Sequence, residues 1–285
     1  MDTRVQLLGP VRAWSGETEV LLGPSRQRAV FAVLAASAGR MVSRSELVDA
    51  LWGDSPPAQA ANSLYTYVSR LRRLLRASDG AVIESAGSGY RLAIDPDSVD
   101  LGAFSRLRRA IDEARRNHGL SRACELIDEA LALWQGRAFG DVDGPFADTQ
   151  RIHFEELRLE LVERQAGFKL ECGRPAEVVT DLSGVVQRYS SRESLHCLMM
   201  VALYRAGRQA DALALYQETR RHLVDELGLE PGAALRRAHE EVLSGHADAP
   251  DWHARYTPEQ LKDLLEALRA ADLDHADGHL SPEAA

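Results

Sequence analysis

Between Ala58 and Arg76 the chain reads AQAANSLYTYVSRLRRLLR, and its apolar positions fall on one helical stripe. At 3.6 residues per turn, Leu64, Val68, Leu71 and Leu75 share one face. Asn62, Thr66, Ser69 and Arg73 repeat the spacing about half a turn away, flanked by Arg70, Arg72 and Arg76, with no Asp or Glu in the stretch. Such a helix can dock by its leucines and present amide, hydroxyl and guanidinium groups to a polyanion. Asn and Arg are also the side chains that pair bidentately with adenine and guanine edges in a major groove. A solvated surface helix with a basic face fits the same pattern.

The flanking pattern supplies context. Val5 to Trp14 predicts two short strands broken at Gly9-Pro10, Ser15-Gly16 a turn, and Val20 to Leu22 a third strand before Gly23-Pro24. A helix is expected from Ser25 to Ala38, with Val30, Leu34 and either Ser37 or Ala38 inward and Gly39 as its stop. Ser43-Arg-Ser-Glu46 matches a capping box and opens a helix to about Trp52, ended by Gly53. Pro56-Pro57 separates this helix from the basic one. After Arg76, Val82 to Ser85 and Tyr90 to Ile94 around Gly87-Ser-Gly89 predict a β-hairpin.

Beyond the polar stretch Asp95 to Asp100, nearly everything to Gly245 carries helical periodicity. Cys172-Gly-Arg-Pro-Ala-Glu177 aligns with Ala206-Gly-Arg-Gln-Ala-Asp211, Leu170 with Tyr204 and Leu182 with Tyr216. The offset is about 34 residues, the tetratricopeptide period, in which stacked helix pairs bury one another's apolar faces. Ala123 to Trp134 looks like part of a less regular repeat. Thr257-Pro-Glu-Gln260 can cap a further helix through Leu261, Leu264, Leu265 and Leu268, and the residues after Asp274 have the composition of a disordered end.

Composition narrows the function. The 285 residues carry a net charge of −9, which argues against nucleic acid until it is divided. Residues 1–97 are nearly neutral, the arginines of 58–76 make that stretch locally basic, and the acidic excess lies beyond residue 97. A basic element on a neutral module joined to an acidic one suits a DNA reader with a protein-contact module. No apolar run is long enough to span a membrane and the N-terminus lacks the pattern of a secretory signal, so a cytoplasmic protein is expected. Cys124, Cys172 and Cys197 are widely spaced and predict reduced thiols. No HExxH, GxSxG or metal-ligand spacing is present, and neither Lys169 nor Lys262 sits in a phosphate-binding loop. His118, His153, His196, His222 and His239 lie singly in helical sequence, so no enzyme, metal or cofactor is expected.

Strands, three helices and a hairpin, with SRLRRLL in the third helix and Gly87-Ser-Gly-Tyr-Arg-Leu92 after it, resemble the winged-helix output domain of the OmpR/PhoB type. Leu198 to Leu213, Tyr216, Arg220, Leu223 and Glu226-Leu-Gly-Leu-Glu-Pro231 resemble the bacterial transcriptional activation domain, as do Leu133-Trp134, Phe146-Ala-Asp148 and Glu155 to Leu159. Together they resemble the SARP family, the Streptomyces antibiotic regulatory proteins.

The resemblance implies a mainly α chain. Residues 1–96 would form an OmpR/PhoB-type winged helix-turn-helix with small β-sheets, and 97–245 an all-α tetratricopeptide-like activation domain. Residues 246–285 would be linker, short helix and tail, too short for the ATPase module of larger family members. The resemblance also implies binding of double-stranded DNA at promoter direct repeats by more than one protomer, recruitment of RNA polymerase holoenzyme, and control of secondary-metabolite genes. Asn62, Thr66, Ser69 and Arg73 are expected at base edges with Arg70 close by, and Tyr65, Arg72 and Arg76 at phosphates. Ser43 would offer helix N-terminal N–H groups to a phosphate, and Arg91 would serve the wing. Tyr90 and Trp52 are expected to pack, and Ser69 could merely be small at a crowded interface. A tetratricopeptide scaffold with weak, non-specific DNA binding is the alternative.

Overall fold

The computed structural model describes residues 3–76 and 81–245, so the helix expected after Thr257 lies outside the described residues. Two compact units result, Met1–Gly173 and Arg174–Ala285.

The first unit opens with β1 (Thr3–Gln6) and β2 (Arg12–Ser15), paired antiparallel with Thr3 opposite Ser15 and Gln6 opposite Arg12. The third strand is not Val20–Leu22 but β3 (Thr18–Glu19), which pairs with Trp14 and Ser15. The two-residue turn at Gly16 sets that register, and the chain leaves the ladder after Val20 donates to the Ala13 carbonyl at 2.8 Å. Leu22 then turns inward and Leu21 outward, 78% exposed.

Helix α1 (Ser25–Ala36) is shorter than the apolar pattern implies, and Ser37 and Ala38 lie half-buried beyond its end. Gly39, at φ 77°, donates to the Leu92 carbonyl at 3.0 Å and turns the chain. Ala29 to Ala35 are all buried, because α1 is enclosed on several sides rather than along one stripe. Short strand β4 (Val42–Ser43) leads into α2 (Arg44–Trp52), α3 (Ala60–Leu75) and the hairpin β5 (Val82–Ala86) and β6 (Gly89–Ala93). The second sheet has the order β4-β6-β5. A Cβ on Gly89 would lie 2.1 Å from the Val42 carbonyl oxygen, so close packing against β4 requires glycine there.

Residues 95–100 form a tight connection. Pro96–Ser98 is a 3-10 turn, and Val99 is buried and bridges to Val5. Helices α4 (Asp100–Arg116), α5 (Leu120–Leu131) and α6 (Pro145–Glu171) follow. Phe104 meets Trp134 edge-on at 5.0 Å and Phe154 at 6.3 Å, joining α4, the segment after α5 and α6 in one aromatic cluster.

The second unit holds α7 (Pro175–Arg188), α8 (Glu193–Arg205), α9 (Gln209–Leu227) and α10 (Ala233–Ser244). Helix α8 is buried from Leu195 to Leu203, because α7, α9 and α10 all pack on it. The sequence offset recurs in the helix bounds: α6 ends at Glu171 and α8 at Arg205, while α7 begins at Pro175 and α9 at Gln209. Gly173 and Gly207 occupy matching left-handed turns at φ 70° and 76°. The three cysteines are thiols, and no helix among the described residues is long and apolar enough to cross a membrane.

Candidate nucleic-acid interface

The amphipathic pattern of α3 is realised along its whole length. Ala60, Leu64, Val68, Leu71 and Leu75 are buried against α1 and α2, whereas Asn62, Thr66, Ser69, Arg70, Arg73 and Arg76 are exposed. Tyr65 stands out at 68% exposure. Arg70, Arg73 and Arg76 are exposed and make no ion pair with any described residue. An open cleft of about 350 Å³ runs beside the helix, bounded by Tyr65, Ser69, Arg70, Arg72, Arg73 and Arg76. A groove whose described lining is guanidinium groups, hydroxyls and Val68, with no carboxylate among those residues, suits a phosphodiester strand. The hydroxyl of Thr66 donates to the Asn62 carbonyl at 2.9 Å, leaving its methyl and acceptor lone pairs outward.

Three of the expected contact residues are engaged within the protein. Arg72 is the first. Its Nε donates to the Ile83 carbonyl and its Nη2 to Ser85 Oγ, both at 2.8 Å, and its guanidinium lies 5.6 Å from the Tyr90 ring. It turns from the outer face of α3 toward the hairpin and fastens the hairpin to the helix. Arg91 donates from Nε to Glu84 Oε2 at 3.1 Å, with Nη2 on the same oxygen, as a cross-strand pair within the wing. Ser43 closes the expected capping box: its Oγ accepts from Glu46 N–H at 3.1 Å, and Glu46 accepts from Ser43 N–H at 2.6 Å. The hydrogen bond from the Ser43 backbone holds the Glu46 carboxyl below its ordinary value, followed by the Ser43 hydroxyl and, more weakly, Arg40.

Arg44 joins this group although nothing in the sequence marks it as a site residue. It sits exposed in the first turn of α2, with its guanidinium 5.7 Å from the Tyr90 ring, and no local pattern distinguishes it from any arginine after a cap. Tyr90 itself is buried and Trp52 half-buried, both as packing residues. Among the described residues, no group of His, Cys, Asp and Glu is arranged to hold a metal ion.

A capped helix, a second helix with a basic and amide-bearing outer face, and a β-hairpin clamped against it define a winged helix-turn-helix, a class of protein that places the second helix of the motif in a DNA groove. Comparison with known proteins agrees. Residues 17–92 match the domain described as transcriptional regulatory protein, C terminal, and residues 99–243 match the bacterial transcriptional activator domain. The chain belongs to the SARP family of transcriptional regulators.

It is 42% identical over 240 residues to the regulatory protein AfsR of Streptomyces griseus, a match covering 84% of this chain and 24% of that protein. Identity to the transcriptional regulator RedD of Streptomyces coelicolor is 38% over 246 residues, covering 84% and 70%. Identity to the regulatory protein DnrI of Streptomyces peucetius is 34% over 249 residues, covering 84% and 92%. The chain thus spans about a quarter of the length of AfsR and most of DnrI. Among solved structures, Mycobacterium tuberculosis EmbR in complex with a low affinity phosphopeptide aligns with a TM-score of 0.79 at 30% identity, covering 96% of this chain and 71% of that one.

Proposed function

We propose that this protein is a sequence-specific transcriptional activator that binds direct repeats at a promoter as two or more protomers and recruits RNA polymerase holoenzyme. The regulated genes are those of a secondary-metabolite, antibiotic-type biosynthesis cluster. The observation that carries the reading is the outer face of α3, where Asn62, Thr66, Ser69 and Arg73 stand exposed beside arginines that make no ion pair with any described residue. In this reading Asn62, Thr66, Ser69 and Arg73 meet base edges with Arg70 close by, while Tyr65 and Arg76 meet phosphates along the adjoining cleft. Residues 1–96 read DNA and 97–245 contact the transcription machinery. The protein acts in the cytoplasm, at the nucleoid, without cofactor or catalysis.

The family match and the identity to DnrI over most of its length support the assignment of the two modules. Run-off transcription tests it. A promoter template carrying two tandem copies of the DNA motif the protein selects is transcribed by holoenzyme with and without the full chain. The expected result is a several-fold rise in transcript that depends on both copies. Equal transcript from templates with and without the motif would contradict the activator reading and leave a protein-interaction scaffold.

A further inference from the structure

The first unit holds elements from both sides of the 95–100 connection, and the polar contacts between them converge on the turn between β1 and β2. Backbone groups of this turn find their partners far along the chain. The Asp100 carboxylate accepts the N–H groups of Leu7 and Leu8, both at 2.7 Å. The amides of Gln135, Phe139 and Gly140 donate to the carbonyls of Leu8, Leu7 and Gly9 at 2.8, 2.9 and 3.2 Å. Asp141 Oδ1 accepts from Val11 N–H at 2.7 Å. Because Leu7 and Leu8 are fully buried, these backbone groups would be stranded without these partners.

The same loop holds α1. Asp141 Oδ2 lies 2.9 Å from Arg28 Nε, and its carbonyl accepts from Arg28 Nη2 at 3.0 Å. Asp143 accepts from Ser25 Oγ at 3.1 Å at the start of α1, whose Pro24 cap offers no side-chain acceptor. Helix α1 packs directly on α3. The loop in turn is held by buried Arg151, which donates to the carbonyls of Phe139 and Val142. Phe139 is fully buried with φ 52°, a backbone setting that a phenylalanine keeps only where its surroundings over-determine it.

We propose that Asp100 and Asp141 are positioning residues that fix the direction of α4–α6 relative to the recognition helix α3. Two protomers on tandem sites then meet only when the sites are correctly phased. A flexible tether at residues 95–100 would tolerate many phasings, since its loss of effective concentration with distance is gradual. A rigid junction admits one. The proposal rests on the DNA-reading role given above.

The test uses the full chain with Asp141→Ala and Asp141→Asn, on duplexes carrying the selected motif once or twice in direct repeat. The spacing is stepped by single base pairs through one turn of B-DNA, about 10 base pairs. Wild type should fill the two copies cooperatively at one phasing, with tandem affinity falling about tenfold at the opposite phasing. Asp141→Ala should bind a single copy within about twofold of wild type and lose the phasing dependence. Asp141→Asn, which keeps an acceptor for Val11 but not the charge facing Arg28, should fall between. An unchanged phasing profile in Asp141→Ala would overturn the proposal, and so would a parallel fall in single-copy affinity, which would mark a merely structural role. Hydrogen exchange of the Val11 amide tests the junction without DNA. Fast exchange in wild type would overturn this proposal alone, whereas absence of any selected motif would overturn the DNA-reading role and the phasing role with it.

Discussion

The guanidinium of Arg72 lies 5.6 Å from the ring of Tyr90, while Arg44 covers the same ring at 5.7 Å. The hairpin is therefore held by both helices of the reading motif, and Arg72 is already committed through Ile83 and Ser85. Arg72→Gln should weaken DNA binding by disturbing the wing and leave the salt dependence nearly unchanged. Arg76→Gln should lower the slope of log K against log salt by about 0.9, the value for one lost phosphate contact. Titrations at several salt concentrations separate the two. A slope change in Arg72→Gln equal to that of Arg76→Gln would return Arg72 to the phosphate-contacting set.

At Asn62 the expected effect is one of specificity. Its amide is exposed on the outer face of α3, and an amide paired to an adenine edge discriminates against other bases by about 1–3 kcal/mol. Asn62→Ala should bind the selected motif more weakly and accept any base at one position, at an unchanged salt slope. Uniform weakening across all base substitutions would argue against a base contact.

Ser43 contributes through the α2 cap. Replacing it with Ala removes the acceptor for Glu46 N–H, and caps of this kind contribute about 1 kcal/mol. Chemical denaturation of Ser43→Ala should show a loss of that size. A variant as stable as wild type, but defective in DNA binding, would instead place the hydroxyl at a phosphate.

Burial pushes the Asp100 carboxyl up from 3.8 to about 6, against the opposing hydrogen bonds from Leu8, Leu7 and Leu101. The folded chain then holds this proton more tightly than the unfolded chain. Stability falls as pH rises from 3.8 to about 6, by about 3 kcal/mol from this group, and stays at the lower level above. Asp100→Asn cannot titrate, so the difference in unfolding free energy between wild type and variant should change with pH across that interval and be flat above it. Denaturation followed by tryptophan fluorescence at pH 4.5, 5.5 and 7 measures it. A constant difference at all three values would contradict the raised carboxyl.

Much of this was legible in the sequence because it depends on neighbours a few residues away. The apolar stripe of α3, the Ser43–Glu46 box and the 34-residue offset between Glu171 and Arg205 are local or periodic signals, and each recurs in the structure. The third strand slipped because Gly16 fixes a tight turn, and pairing with Trp14 and Ser15 outweighed the apolar run at Val20 to Leu22. The site residues were found by face, but their engagement was not. Arg72 and Arg91 look like Arg73 in sequence, yet Arg72 finds its partners where the hairpin returns beside α3, and Arg91 finds Glu84 across the hairpin itself. The junction was illegible for a related reason. Asp100 meets Leu7 across 93 positions and Asp141 meets Val11 across 130, and no local pattern marks a carboxylate whose partner is a distant backbone amide.

Sequence reading by this protein rests, in the proposed function, on the outer face of α3. Selection of bound sites from random duplex DNA, with wild type and Arg73→Ala in parallel, tests it most directly. Wild type should recover a short motif in direct repeat, and Arg73→Ala should recover the same motif with one position relaxed. An identical motif from both proteins would reduce Arg73 to a phosphate contact or bystander. No motif from wild type would contradict the claim.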